Sequence, residues 1–189
     1  MSFQEDISHA LTTLRDNGVI LYPTDTIWGI GCDATSQDAV EKIFRIKSRD
    51  ENKSLLILVS NEQMLERYVH DIPESAIELM NVTDEPLTII YPKGKNLAKG
   101  VCSEDGSVGI RICRDEFCNQ LISLFRKPIV STSANFSGLP APQSFTDIDK
   151  DLINSVDYVA DYRQNDRRKQ TASPVIKFNS DGTIKIIRT

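Results

Sequence analysis

Apolar runs too short for helices, each followed or preceded by proline or a polar loop, constrain this chain most. Val19-Ile20-Leu21-Tyr22 stops at Pro23, and Leu87-Thr88-Ile89-Ile90-Tyr91 stops at Pro92. Leu55-Leu56-Ile57-Leu58-Val59 follows a cationic segment, and Pro128-Ile129-Val130 opens into Ser131-Thr132-Ser133-Ala134-Asn135-Phe136-Ser137-Gly138. Such runs, bounded by turn-forming residues, read as buried strands, and proline marks their ends because it cannot donate to a ladder. Helical spacing appears between them. Phe3, Ile7, Ala10, Leu11 and Leu14 precede the stop Asn17-Gly18; Ala39, Val40, Ile43 and Phe44 follow the candidate N-cap Ser36; Asn61 and Pro73 open two more helical stretches; and Phe117, Leu121, Ile122 and Phe125 follow Asp115. Strands and helices alternate at first. Residues 156–162 then suggest an edge strand, and Ser173 to Arg188 a hairpin turning at Asn179-Ser180-Asp181-Gly182. The pattern predicts an α/β fold: a single domain over residues 1–189 with a twisted, mixed parallel and antiparallel sheet flanked by helices.

Composition narrows the chemistry. With 40% hydrophobic residues in 189, the chain can bury a real core. Its formal net charge of -5 repels nucleic acid and anionic membrane, so a bound polyanion needs a local basic cluster. The first residues carry no basic start or apolar core, and no run approaches the length of a membrane span, so a cytoplasmic protein without membrane contact is expected. Cys32, Cys102, Cys113 and Cys118 show no Cys-x-x-Cys pair, and neither His9 nor His70 adds ligand spacing. Buried free thiols are expected and no metal site. The serine loop has no histidine tied to it, which disfavours a Ser-His-Asp hydrolase.

Three stretches hold candidate site residues. The serine loop, at the end of a strand, concentrates hydroxyls, a carboxamide and a glycine, a set suited to a polar small molecule and equally to a turn that satisfies its own backbone. Thr24-Asp25-Thr26-Ile27-Trp28-Gly29-Ile30-Gly31 is a second such loop behind Val19–Tyr22. Arg45, Lys47, Arg49 and Lys53 place four cations in nine residues, as a solvated helix end does and as a phosphate clamp does. Ser107-Val108-Gly109-Ile110-Arg111-Ile112-Cys113 alternates like a strand, and Arg111 within it needs an internal carboxylate or a bound anion.

Taken in order, Tyr22-Pro23-Thr24-Asp25-Thr26 with Trp28-Gly29-Ile30-Gly31, Lys47-x-Arg49 with Lys53, Gly109-Ile110-Arg111, and Ser131-Thr132-Ser133-Ala134-Asn135-x-Ser137-Gly138 resemble the YrdC/TsaC family over nearly the whole chain. The resemblance implies a YrdC-like fold, in the short bacterial form without a second domain. It also implies L-threonylcarbamoyladenylate synthase activity: L-threonine, bicarbonate and ATP giving threonylcarbamoyl-AMP and pyrophosphate, toward the t6A modification of tRNA. Carried over by position, Thr26, Arg111, Ser131 and Ser173 would contact L-threonine. Lys47, Arg49, Lys53, Ser107, Ser133, Asn135 and Arg188 would contact ATP, with Mg²⁺ accompanying the nucleotide. Glu85, Cys113 and Pro174 depart from the family's usual residues. The chemistry requires no protein nucleophile, and no catalytic residue is assigned; Asp25 is a candidate base or a structural carboxylate. Partners implied are ATP, L-threonine and bicarbonate, with tRNA or downstream t6A-synthesis proteins beyond them. The rival is a noncatalytic RNA-binding module, in which cations at 45–53, 93–99, 111–114 and 163–169 converge into one stripe on a concave face.

Overall fold

The computed structural model describes residues 1–48, 50 and 54–189. Helix α1 (Phe3–Arg15) starts at a capping box, Ser2 Oγ accepting from the Glu5 amide and Glu5 accepting from the Ser2 amide, and it buries Ile7, Ala10 and Leu14. The chain continues through β1 (Ile20–Tyr22), β2 (Gly29–Gly31), α2 (Gln37–Lys47), β3 (Ile57–Val59), α3 (Glu62–Leu65), α4 (Glu74–Val82), β4 (Thr88–Tyr91) and β5 (Val108–Ile112). It then forms α5 (Glu116–Phe125), β6 (Ile129–Val130), β7 (Thr132–Ser133), a 3-10 turn at Phe145–Asp147, α6 (Lys150–Ser155), β8 (Tyr158–Val159) and the hairpin β9 (Val175–Phe178) and β10 (Ile184–Arg188).

Among the described residues the strands form two sheets, of order β10-β9-β4-β5-β3-β6 and β7-β2-β1-β8. Each mixes senses: β3 runs parallel to β5, β4 to β9 and β1 to β8, and the other pairs are antiparallel. The mixed α/β architecture expected from the sequence is present, divided between two sheets. Ser131 is the crossing point, because β6 ends one sheet and β7 begins the other on either side of it, and its amide donates to Leu56 O at 2.8 Å. The sheets meet closely. A Cβ on Gly31 would lie 2.2 Å from Val130 O, so only glycine permits this approach.

Two strands lie in stretches that read as loops. Gly29-Ile30-Gly31 has little β propensity of its own, and Thr132-Ser133 is short and polar; β2 is made a strand by pairing with β1 and β7, and β7 by pairing with β2. The helix opening at Asn61 ends after four residues, although Tyr68 and Val69 beyond it are buried in the core. The expected edge strand is β8. No helix among the described residues is long and apolar enough to cross a membrane.

Candidate active site

The loops after β1 and β6, the strands β4 and β5 and the C-terminal hairpin enclose a cavity of about 360 Å³. It is lined by Thr26, Arg111, Ser131 and Ser173 together with Ser107, Ser133 and Arg188. Seven residues expected from separate stretches of sequence thus share one wall.

Arg111 is the centre of the wall, and β-strand alternation explains how it gets there. In β5 the side chains of Val108, Ile110 and Ile112 point to one face, which leaves Gly109 and Arg111 for the other. Only 3% of the Arg111 side chain is exposed, so its charge needs compensation. Nη2 lies 3.0 Å from Asp25 Oδ1, and Nη1 donates to Ser173 Oγ at 3.2 Å. Nε has no hydrogen-bond acceptor among the described residues. Ser173 is held in turn by Thr88 Oγ1 at 2.8 Å, and the Thr88 amide donates to Pro174 O, so the unusual proline keeps its place in the β4–β9 register. Asp25 therefore serves Arg111 as a structural carboxylate, and it lines a different cavity.

Four hydroxyls of the wall, those of Thr24, Thr26, Ser107 and Ser133, have their protons committed within the protein. Thr24 Oγ1 donates to Ile27 O at 2.8 Å; having one proton, it must accept from the Thr26 amide and from Thr26 Oγ1, both at 3.0 Å. Ser107 Oγ donates to Asp105 Oδ1 at 2.6 Å, and Ser133 Oγ donates to Asn135 Oδ1 at 2.5 Å. Lone pairs on Thr26, Ser107 and Ser133 remain to face donors in the cavity.

Cations complete it. Lys177 on β9 also lines the cavity and pairs with Asp105 at 2.9 Å. That bond, joined by those from Ser107, lowers the Asp105 carboxyl to about 2. Arg188 gives two N–H groups to Ser173 O, at 2.9 and 2.6 Å; burial, then the neighbouring charge of Arg111, lower its pKa. Two guanidiniums lining one cavity favour an anion within it.

Two residues expected at the nucleotide, Lys47 and Asn135, have partners within the protein. Lys47 is buried at the end of α2, and its ammonium donates to Ser133 O at 2.5 Å, Asn135 O at 2.6 Å and Asn135 Oδ1 at 3.1 Å. Asn135 also spends its amide N–H on Leu139 O. Neither lines the cavity; together they tie the serine loop from behind to the end of α2. Gly138 closes that loop at a φ of 87°, in the left-handed region that favours glycine. Arg49 and Lys53, expected at phosphates, lie outside the described residues.

Three cavity residues were missed. Lys177 reads as the polar position of an amphipathic strand, and Ser54 and Ser103 as ordinary loop hydroxyls. Trp28 sits on the wall against Phe145, ring centroids 4.8 Å apart. The single cationic stripe required by an RNA-binding face does not form among the described residues: Arg111 lines this cavity while Arg114 lines another, Arg163 pairs with Asp115 and Arg168 with Asp166.

Fold and cavity together define an α/β protein with a compact pocket of cations and hydroxyl lone pairs at the junction of two mixed sheets. The chain belongs to the Sua5/YciO/YrdC family, whose sequence model, described as "Telomere recombination", matches residues 12–189. A Psychromonas ingrahamii protein named threonylcarbamoyl-AMP synthase is 35% identical over 150 residues, 78% of each chain. One of the same name from Pseudoalteromonas translucida is 33% identical over 164 residues, 85% of this chain and 88% of that protein. Among solved structures, P. abyssi Sua5 complexed with L-threonine matches with a TM-score of 0.83 at 28% identity, over 94% of this chain and 52% of that one. E. coli YciO matches with a TM-score of 0.83 at 25% identity, over 98% and 89%. The chain thus spans about half the length of that Sua5 chain.

Proposed function

We propose that this protein is an L-threonylcarbamoyladenylate synthase, a nucleotidyltransferase joining L-threonine, bicarbonate and ATP into threonylcarbamoyl-AMP with release of pyrophosphate, for the t6A modification of tRNA. The observation that carries this is the pairing, in one small cavity, of guanidiniums with hydroxyls whose protons are already spent. A free amino acid is a zwitterion with a side chain, and such a wall suits it: Arg111 can take the carboxylate, while lone pairs of Thr26 and neighbouring hydroxyls accept from the ammonium and the side-chain hydroxyl. Relatives named threonylcarbamoyl-AMP synthase, and a relative solved with L-threonine, support the same choice.

The amine of threonine adds to bicarbonate as water leaves, giving a carbamate. A carbamate oxygen then attacks the α-phosphorus, and the bond to pyrophosphate breaks. The protein need supply no nucleophile. It holds two anions against their repulsion and faces the departing pyrophosphate with fixed cations. Arg49 and Lys53 are assigned to the phosphates on family resemblance, with Lys177 and Arg188 on the wall nearest the hairpin. Mg²⁺ belongs to this proposal as the companion of ATP, since it bridges phosphates and needs few protein ligands. No group of three His, Cys, Asp or Glu able to hold a metal occurs among the described residues.

Pyrophosphate release with each substrate omitted in turn tests the reaction: it should require threonine, bicarbonate and ATP together. Replacing threonine by serine should cost about 1–3 kcal/mol in kcat/KM, the scale of a missing methyl, and valine should fare worse because it leaves hydroxyl-binding groups unpaired. Release that is independent of threonine, or equal with valine, would overturn the assignment.

A further inference from the structure

A larger cavity, about 800 Å³, lies across the six-stranded sheet from the proposed active site. Its floor is the apolar face of β4 and β5, Ile89, Tyr91, Ile110 and Ile112, extended by Met80 and Leu87. Its charged lining is mostly acidic: Glu62, Asp84, Glu85 and Asp115 stand with one guanidinium, Arg114. Asp115 is committed to Arg163 and to capping α5, and Asp84 lies 3.8 Å from Arg114. The side chains of Glu62 and Glu85 have no hydrogen bond or ion pair among the described residues.

An independent observation lies at the inner end. Asp25 lines this cavity with 10% of its side chain exposed, and both its carboxylate oxygens are buried without a hydrogen bond. Oδ1 is within 3.0 Å of Arg111 Nη2, at an angle that makes no hydrogen bond, and Oδ2 accepts no hydrogen bond among the described residues. A buried carboxylate oxygen without a donor is costly, and a donor arriving from the cavity would relieve that cost.

The cavity volume falls in the range that holds a small molecule. Its sign excludes phosphates, nucleic acid and free carboxylates. Its apolar floor rejects a bare metal ion, which takes oxygen ligands, and accepts an alkyl chain. We propose that this cavity is a binding site for an amphipathic organic cation of the polyamine class, with one ammonium directed to Asp25, the aliphatic chain on the Ile89–Ile110 floor, and a second ammonium at the Glu62 and Glu85 mouth. The site is separate from the proposed reaction and stands whether or not that reaction is correct.

The test is calorimetric titration of the full chain with diaminooctane and spermidine, and with octanediol as a neutral chain of equal length. Methyl resonances of Ile89, Ile110 and Met80 report the location. Saturable binding of the diamine is expected, with those methyls shifting. The double variant Glu62→Gln/Glu85→Gln, whose changes are confined to exposed side chains, should weaken binding by about tenfold and octanediol should bind at least as poorly, the scale set by two partly exposed charge pairs. Equal binding of octanediol, an unchanged affinity in the double variant with its thermal transition intact, or the absence of saturable heat at millimolar diamine would each overturn the site.

Discussion

On one face of β4 and β5, Thr88, Gly109 and Arg111 meet a wall in which polar groups hold one another; on the other face, Ile89, Ile110 and Ile112 form a bare apolar floor rimmed by carboxylates. Adjacent residues of the same strands supply both. The polar face is pre-organised: the Ser107 and Ser133 hydroxyl protons have acceptors, its loop is tethered by a buried ammonium, and its central guanidinium is pinned by Asp25. Order of this kind lowers what binding must spend on freezing side chains. The acidic face has fewer internal partners, and it owes its character to sign and shape. The Asp25–Arg111 pair connects the two, because its carboxylate lines one cavity and its guanidinium the other.

The largest effect should come from cutting that connection. Arg111→Met leaves the Asp25 carboxylate buried without its cation, at about 3–5 kcal/mol of stability, measured by urea denaturation. Asp25→Asn in the same chain should recover most of the loss, since the stranded charge disappears. A single Arg111→Met variant as stable as the parent would show that the pair does not join the faces. Arg111→Lys should spare more stability yet lose threonine-dependent pyrophosphate release, because an ammonium cannot reproduce a planar fork.

Lys47→Met addresses the tether behind the polar face. Losing a buried, charge-assisted hydrogen bond is worth roughly 1.5–3 kcal/mol, which in the reaction is about one to two orders of magnitude in kcat/KM. An unaltered kcat/KM would mean that the serine loop holds its shape without the lysine.

Glycine substitutions distinguish close packing from cavity wall. Gly31→Ala forces a methyl against Val130 O at 2.2 Å and should cost about 1–3 kcal/mol or more. At Gly109 the nearest atom to a new Cβ, Leu56 Cδ1, is at an ordinary 3.7 Å, so Gly109→Ala should fold with near-parent stability while its methyl faces the site. Thermal unfolding compares the two, and a threonine KM that moves only in Gly109→Ala would sharpen the separation.

The smallest effect belongs to the outer end of the polar face. Asp105 titrates at about 2, below the ordinary 3.8, so the stability it contributes is complete above that ordinary value and is lost as pH falls through the window from about 4 to about 2. Its side chain is 56% exposed and solvent screens the pair, so Asp105→Asn should change stability at neutral pH by no more than about 0.5 kcal/mol. A shallower acid unfolding curve in this variant, over that window alone, is the expected readout.

Much of the site was legible before any coordinates. Thr26, Arg111, Ser131 and Ser133 came from motifs read in order, Ser107, Ser173 and Arg188 from positions carried over by the family resemblance, and all reach one cavity. Lys47 and Asn135 were legible as polar residues near the serine loop, but their partners behind it were not. A cation in a cluster looks solvated until burial shows that its ammonium faces carbonyls.

The sequence by itself determined where apolar runs end, which helices are capped, that the chain is net acidic, and that hydroxyls and cations gather at strand ends, because each of these depends on nearest neighbours and on simple periodicity. Only the tertiary structure decided that there are two sheets, that Gly29–Gly31 and Thr132–Ser133 are strands, and that Asp25 reaches Arg111 across the boundary between two cavities. Those outcomes depend on pairings between residues far apart in the chain. There, closing of loops and satisfaction of buried charge select among arrangements that local propensity leaves equal.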